Sequence, residues 1–175
     1  MSKRSSGMVQ TLLAGVATAT LLVGGATAAS ATDAEQARVG PSGYKDLTLN
    51  MPEEQAMATG LLTDRQVADD CRFYYLQPSE GKPNPGGGVF VSAKEGVVMI
   101  GGTDQIQTSE GVGFGDSIDE VRAAYPDLTS IGDPEWIYTA AAPGNPNAHY
   151  RFAFSDAGFV TDYGLNANEM GGCGS

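Results

Sequence analysis

The chain has 175 residues, with 10 Lys/Arg against 21 Asp/Glu and a formal net charge of −11. So acidic a surface repels phosphate backbones and anionic lipid, which argues against nucleic acid or a membrane surface as partner. One His and two Cys, with no CxxC spacing, argue against a zinc site or a redox dithiol.

At the N-terminus, Lys3 and Arg4 precede the apolar run Thr11–Gly25 (TLLAGVATATLLVGG), and Ala26-Thr-Ala28 or Ala29-Ser-Ala31 offers a small-residue processing site. This is the layout of a secretory signal peptide. The run is shorter and richer in small residues than the roughly 20 apolar residues of a spanning helix. Residues 1–31 are therefore expected to be removed on export, with no membrane insertion afterwards. No cysteine lies near the processing site, so a lipid anchor is not expected. Removal takes away Lys3 and Arg4 and no acid, leaving 8 basic and 21 acidic residues, a net charge of −13. Residues 32–43 are small and polar and read as a disordered linker. Residues 44–175 suit a single domain, expected to be a monomer.

In the first half of that domain, Leu49–Ala56 enters a short helix with Pro52 at its first turn, and Gly60 ends it. Asp64, Asp69 and Asp70 lie in TDRQVADD, which lacks the alternating ligands and closing Glu of a calcium loop and reads as a solvated acidic loop. Strand-like runs follow at Cys71–Gln77 (CRFYYLQ), Gly88–Ala93 (GVFVSA) and Gly96–Gly101 (GVVMIG), with Lys94-Glu-Gly96 as a hairpin turn.

The second half opens on GVGFGDSIDEVRAAYP, residues 111–126. Ser117 and Glu120 form a capping box, Ile118, Val121 and Tyr125 recur at helical spacing, and Pro126 stops the helix. The glycines precede no Lys-Ser/Thr pair, and no parallel-strand crossover surrounds them, so a nucleotide loop is not indicated. They read as a tight turn into a helix laid close on a sheet. Strand runs follow at Glu135–Ala141, Ala148–Phe154 and Phe159–Leu165, and in the middle one Tyr150, Phe152 and Phe154 alternate with Arg151 and Ala153. An offset of 65 residues lays Ala56 on Val121 and Cys71 on Trp136. The order of elements thus predicts an α+β fold: two helix-plus-three-strand pseudo-repeats (residues 44–102 and 108–166) forming one antiparallel sheet, with both short helices on one face.

The pattern Gly113–Pro126, with Leu47–Met51 and Ala58-Thr-Gly60, resembles uncharacterised secreted proteins of high-GC Gram-positive bacteria. The entrance Gly-x-Ser-x-x-Glu-Val followed by Tyr-Pro is distantly similar to the helix entrance of β-lactamase inhibitory protein and of the small outer-membrane-assembly lipoproteins. These resemblances imply helices on one face of an antiparallel sheet, no catalysis, and a free sheet face used for protein contacts. The chain lacks the lipid-attachment cysteine of the lipoproteins. It also has one cysteine in each half, where the inhibitory protein has a pair.

Cys71 and Cys173 are the two cysteines, and export brings both into an oxidising compartment, where such a pair is expected to form a disulfide holding the glycine-rich tail. No catalytic residue, metal ligand or cofactor is indicated. His149 stands on a strand pattern with no Gly-x-Ser-x-Gly elbow in the chain. For a binding surface, Tyr74, out of phase with Phe73 and Tyr75, and Trp136 with Tyr138 are the candidate residues, because Tyr and Trp anchor interfaces. The expectation is a secreted, extracellular, non-catalytic module that binds a protein or cell-envelope partner and is inhibitor-like. The alternatives are a small hydrolase using His149 and one of the acids, or a structural cell-surface component.

Overall fold

The structure is a computed structural model that describes residues 37–83, 87–132 and 136–173, all within one compact unit. The expected signal peptide and residues 32–36 lie outside the described residues. Residues 37–43, expected to be disordered, are ordered: β1 (Ala37–Gly40) turns back into β2 (Gly43–Tyr44), and β3 (Leu47–Thr48) follows. Val39, Tyr44 and Leu47 from these short strands are fully buried, which ties the segment to the core.

Helix α1 (Glu53–Ala58) leads into a meander of four strands, β4 (Leu62–Ala68), β5 (Cys71–Leu76), β6 (Val89–Ser92) and β7 (Gly96–Gly101). Strand β8 (Ile106–Thr108) then pairs parallel to β1, completing a small sheet of order β3-β2-β1-β8. Helix α2 (Ile118–Ala124) leads into a second meander, β9 (Thr129–Ile131), β10 (Ile137–Ala142), β11 (Asn145–Phe154) and β12 (Val160–Ala167). The meanders join through their last strands into an eight-stranded antiparallel sheet of order β4-β5-β6-β7-β12-β11-β10-β9. The seam between β7 and β12 is short, with Gly164, Leu165 and Asn166 facing Gly101, Ile100 and Met99.

The expected α+β fold of two helix-plus-three-strand repeats is overturned. Among the described residues strand predominates, the two α-helices have six and seven residues, and there are two sheets instead of one. TDRQVADD is not an acidic loop. Its first part belongs to edge strand β4, whose register shifts between Thr63 and Gln66, with Asp64 in the left-handed region at φ 54°. Such a bulge and the flanking charges keep an edge from pairing with other chains.

Cross-strand partners share a face and successive residues alternate, so the register sorts the large sheet. Tyr74 and Leu76 of β5, Val89 and Val91 of β6, Ile100 of β7, Leu165 and Tyr163 of β12, and Tyr150 and Phe152 of β11 form one buried face. Ala56 of α1, Val121 of α2, nearby Tyr125 and the small sheet pack on that same side. Both helices are too short to persist in water without this burial. The capping box is present: Ser117 Oγ accepts from Glu120 N–H, and the Glu120 carboxylate accepts from Ser117 N–H at 2.7 Å. Gly115, at φ 86°, supplies the left-handed turn before it, and its N–H donates to Val160 O, drawing the helix entrance onto the sheet.

Candidate functional site

Of the three binding candidates read from the sequence, Tyr74 does not belong to an accessible surface. It is fully buried beneath α1 and donates from its hydroxyl to Glu53 Oε1 at 2.5 Å. The phase relation read from CRFYYL holds, but its sense is reversed: Phe73 and Tyr75 face away from the core. Arg72, in phase with Tyr74 on β5, turns its guanidinium toward Glu53 at 3.5 Å. Its long stem covers apolar surface while its charge finds a partner, as long basic side chains do.

The far face of the large sheet is therefore a candidate site. Phe73 meets Tyr75 and Phe90 edge-on, with ring centroids 4.8 and 5.0 Å apart, and Met99 lies opposite Phe90. This aromatic strip is partly exposed. Beside it the strands carry Gly88, Gly101 and Gly164 in one row, and Phe73 lies over Gly88, where an added Cβ would come within 2.4 Å of its ring. Beyond the glycines the row continues to Arg151, which faces Gly164 across β11 and β12 and pairs with Asp162 at 2.9 Å. The aromatic strip, the glycines and Arg151 thus share one side of the sheet, and the glycines let neighbouring groups approach closely. Two acceptors on β12, Asp162 Oδ1 and Asn166 Oδ1, are buried with no hydrogen-bond partner, an arrangement that costs free energy until a donor arrives. The tail crosses this side at one end, where Ser92 Oγ donates to Gly171 O and Cys173 is disulfide-bonded to Cys71. At the rim, Tyr75, Leu76, Pro78 and Pro83 line a cleft of about 380 Å³.

Trp136 and Tyr138 do come together, on the other side of the sheet. Trp136 is 49% exposed and stands above Tyr138 and Phe154, whose rings meet edge-on at 5.2 Å. With Ile118 of α2 they line a cleft of about 320 Å³.

His149 holds Asn168 Oδ1 3.0 Å from its Nδ1. Its cleft is lined by alanines, Gly144, Pro146, Asn145 and Asn168, with no hydroxyl, thiol or carboxylate among them. Geometry for nucleophile activation is not assembled there. Among the described residues no group of three or more His, Cys, Asp or Glu could hold a metal ion, and no helix is long and apolar enough to cross a membrane.

No protein-family model matches the chain, and no curated protein sequence matches it. The crystal structure of the uncharacterized protein YfeY from Escherichia coli is similar over 74% of this chain and 99% of its own, at a TM-score of 0.47 and 18% identity. At that level the likeness says nothing of function.

Proposed function

We propose that the protein is a secreted, non-catalytic module that binds a protein or cell-envelope partner through the side of its eight-stranded sheet that faces away from both helices. The observation that carries this is the strip of Phe73, Tyr75 and Phe90 on a sheet side away from both helices and the small sheet. Interfaces concentrate their binding energy in such aromatics. The resemblance of Gly113–Pro126 to uncharacterised secreted proteins of high-GC Gram-positive bacteria, and distantly to the inhibitory protein, supports the same reading. Export is supported by the N-terminal pattern and by the disulfide, which persists in oxidising compartments.

The test is affinity capture from the culture fluid and envelope of the producing organism with the wild-type protein, Tyr75→Ala and Thr139→Arg. Thr139 lies opposite Arg151 on the same face, so a long cation there obstructs docking. A partner held by wild type should lose about 2 kcal/mol or more of affinity to Tyr75→Ala, typical of a hot spot, at unchanged melting temperature. A partner bound equally by all three proteins would overturn the assignment of this face.

A further inference from the structure

We infer that the cleft beneath Trp136 is a second, separate binding site, built for the cationic side chain of a partner polypeptide. It lies on the opposite side of the sheet from the strip of Phe73, Tyr75 and Phe90, so the inference stands independently of the reading above. Three features point to a cation. The walls are aromatic: Trp136 is half exposed, and Tyr138 and Phe154 hold a fixed edge-to-face pair below it. A positively charged group over such rings is attracted by their quadrupoles, most strongly by tryptophan. A carboxylate completes the lining, because Asp156 is part of the same cleft and, among the described residues, no cationic side chain is.

That carboxylate is exposed and makes no hydrogen bond or ion pair with any described residue. An arginine or lysine therefore finds an apolar slot for its stem, aromatic faces for its charge and an unpaired anion at the end. The volume of about 320 Å³ is at the small end of ligand pockets, which suits one side chain.

The cleft is also held in shape. Ser155 N–H donates to Phe159 O at 2.9 Å and Gly158 N–H to Ser155 O at 2.8 Å, which closes the turn carrying Asp156. Ile118 N–H donates to Gly158 O at 2.9 Å, tying α2 to that turn, and Phe154 N–H donates to Trp136 O at 2.9 Å. A cavity already shaped in the free protein loses less on binding than one that must be ordered.

Trp136 is the sole tryptophan of the chain, so intrinsic fluorescence reports this cleft directly. The full-length chain, as exported, is titrated at fixed ionic strength with N-acetyl-arginine amide, N-acetyl-lysine amide and N-acetyl-citrulline amide. Citrulline keeps the shape of arginine without its charge. The expected result is a saturable fluorescence change with arginine or lysine amide and about tenfold weaker binding of citrulline amide. Asp156→Asn should weaken the cationic probes by a similar factor, whereas Asp69→Asn, at the distant β4–β5 turn, should not. A linear response, equal binding of citrulline amide, or an unchanged Asp156→Asn would each overturn the proposal. Loss of partner capture by Tyr75→Ala bears on the sheet face alone, so the two readings fail separately.

Discussion

Three buried tyrosines on the covered side of the sheet each end at a carboxylate: Tyr74 at Glu53, Tyr44 at Glu80 and Tyr125 at Glu110. Burial first, and the adjoining carboxylate second, push the Tyr44 phenol up to about 12 and raise those of Tyr74 and Tyr125. The Tyr74 hydroxyl in turn holds Glu53 below the usual carboxylate range, helped by Arg65 at 3.0 Å. Glu80 is also lowered: burial, its largest influence, works the other way, and hydrogen bonds from Lys45 and Tyr44 outweigh it. A carboxylate lowered in the folded state stabilises fully above its unfolded value, near 4.3 for Glu. That contribution is lost as pH falls through the folded value. Stability should therefore be flat at neutral pH and decline below about pH 4.3. Glu53→Gln should cost about 1 kcal/mol at pH 7, because Glu53 is partly exposed and water screens its pairs. It should also show a shallower acid decline. Melting curves from pH 7 to pH 3 check this, and an undiminished acid decline in Glu53→Gln would exclude Glu53 as a source.

Among the elements, α2 depends most on local chemistry. Seven residues offer little propagation, so the capping box and the burial of Val121 hold it. Ser117→Ala removes the acceptor for Glu120 N–H and should cost about 1 kcal/mol by urea unfolding. A cost near zero would mean that packing alone places the helix. This box, the start of β5 at Cys71 and the bounds of β7 at Gly96–Gly101 were legible in the sequence, because capping, alternation and glycine turns are local signals. Strand β4 was not. Leu62–Ala68 has an edge to itself and a bulge at Asp64, so its charges need not alternate with apolar residues. Strands β2 and β3 have two residues each and β9 three, too few to show a period. Alternation in CRFYYL separated Tyr74 from Phe73 and Tyr75, but a two-residue period is unchanged when its faces are exchanged. What sets the sense is Glu53, 21 residues upstream, over Tyr74. For Trp136 and Tyr138, their shared phase was readable, whereas the cleft floor comes from Ile118 and Phe154 on other elements.

At the scale of the whole molecule, two four-stranded meanders meet at a seam of three residue pairs, one of which, Gly101 with Gly164, has no side chain on either strand. Cys71 opens β5 in the first meander, and Cys173 follows β12 of the second, so their disulfide spans the seam with Cα atoms 5.6 Å apart. The bond closes a sequence separation of 102 residues, and a loop of about 100 residues corresponds to roughly 4.7 kcal/mol of chain entropy removed from the unfolded state. Cys71→Ser combined with Cys173→Ser should therefore lose up to about 4.7 kcal/mol, seen as a drop of roughly 10–15 °C in melting temperature. The tail should become more sensitive to carboxypeptidase, since the bond fixes buried Cys173 beside the Ser92–Gly171 contact at 3.3 Å. Unfolding should nevertheless stay a single transition. Tyr74, Val91 and Ile100 from one meander and Tyr150, Phe152 and Leu165 from the other belong to one continuous buried cluster that also takes in Val39 and Tyr44 of the small sheet. Neither meander can open without exposing apolar side chains of the other. Two resolved transitions by calorimetry of the cysteine-free variant would mean that the disulfide, and not this shared core, makes the halves one folding unit.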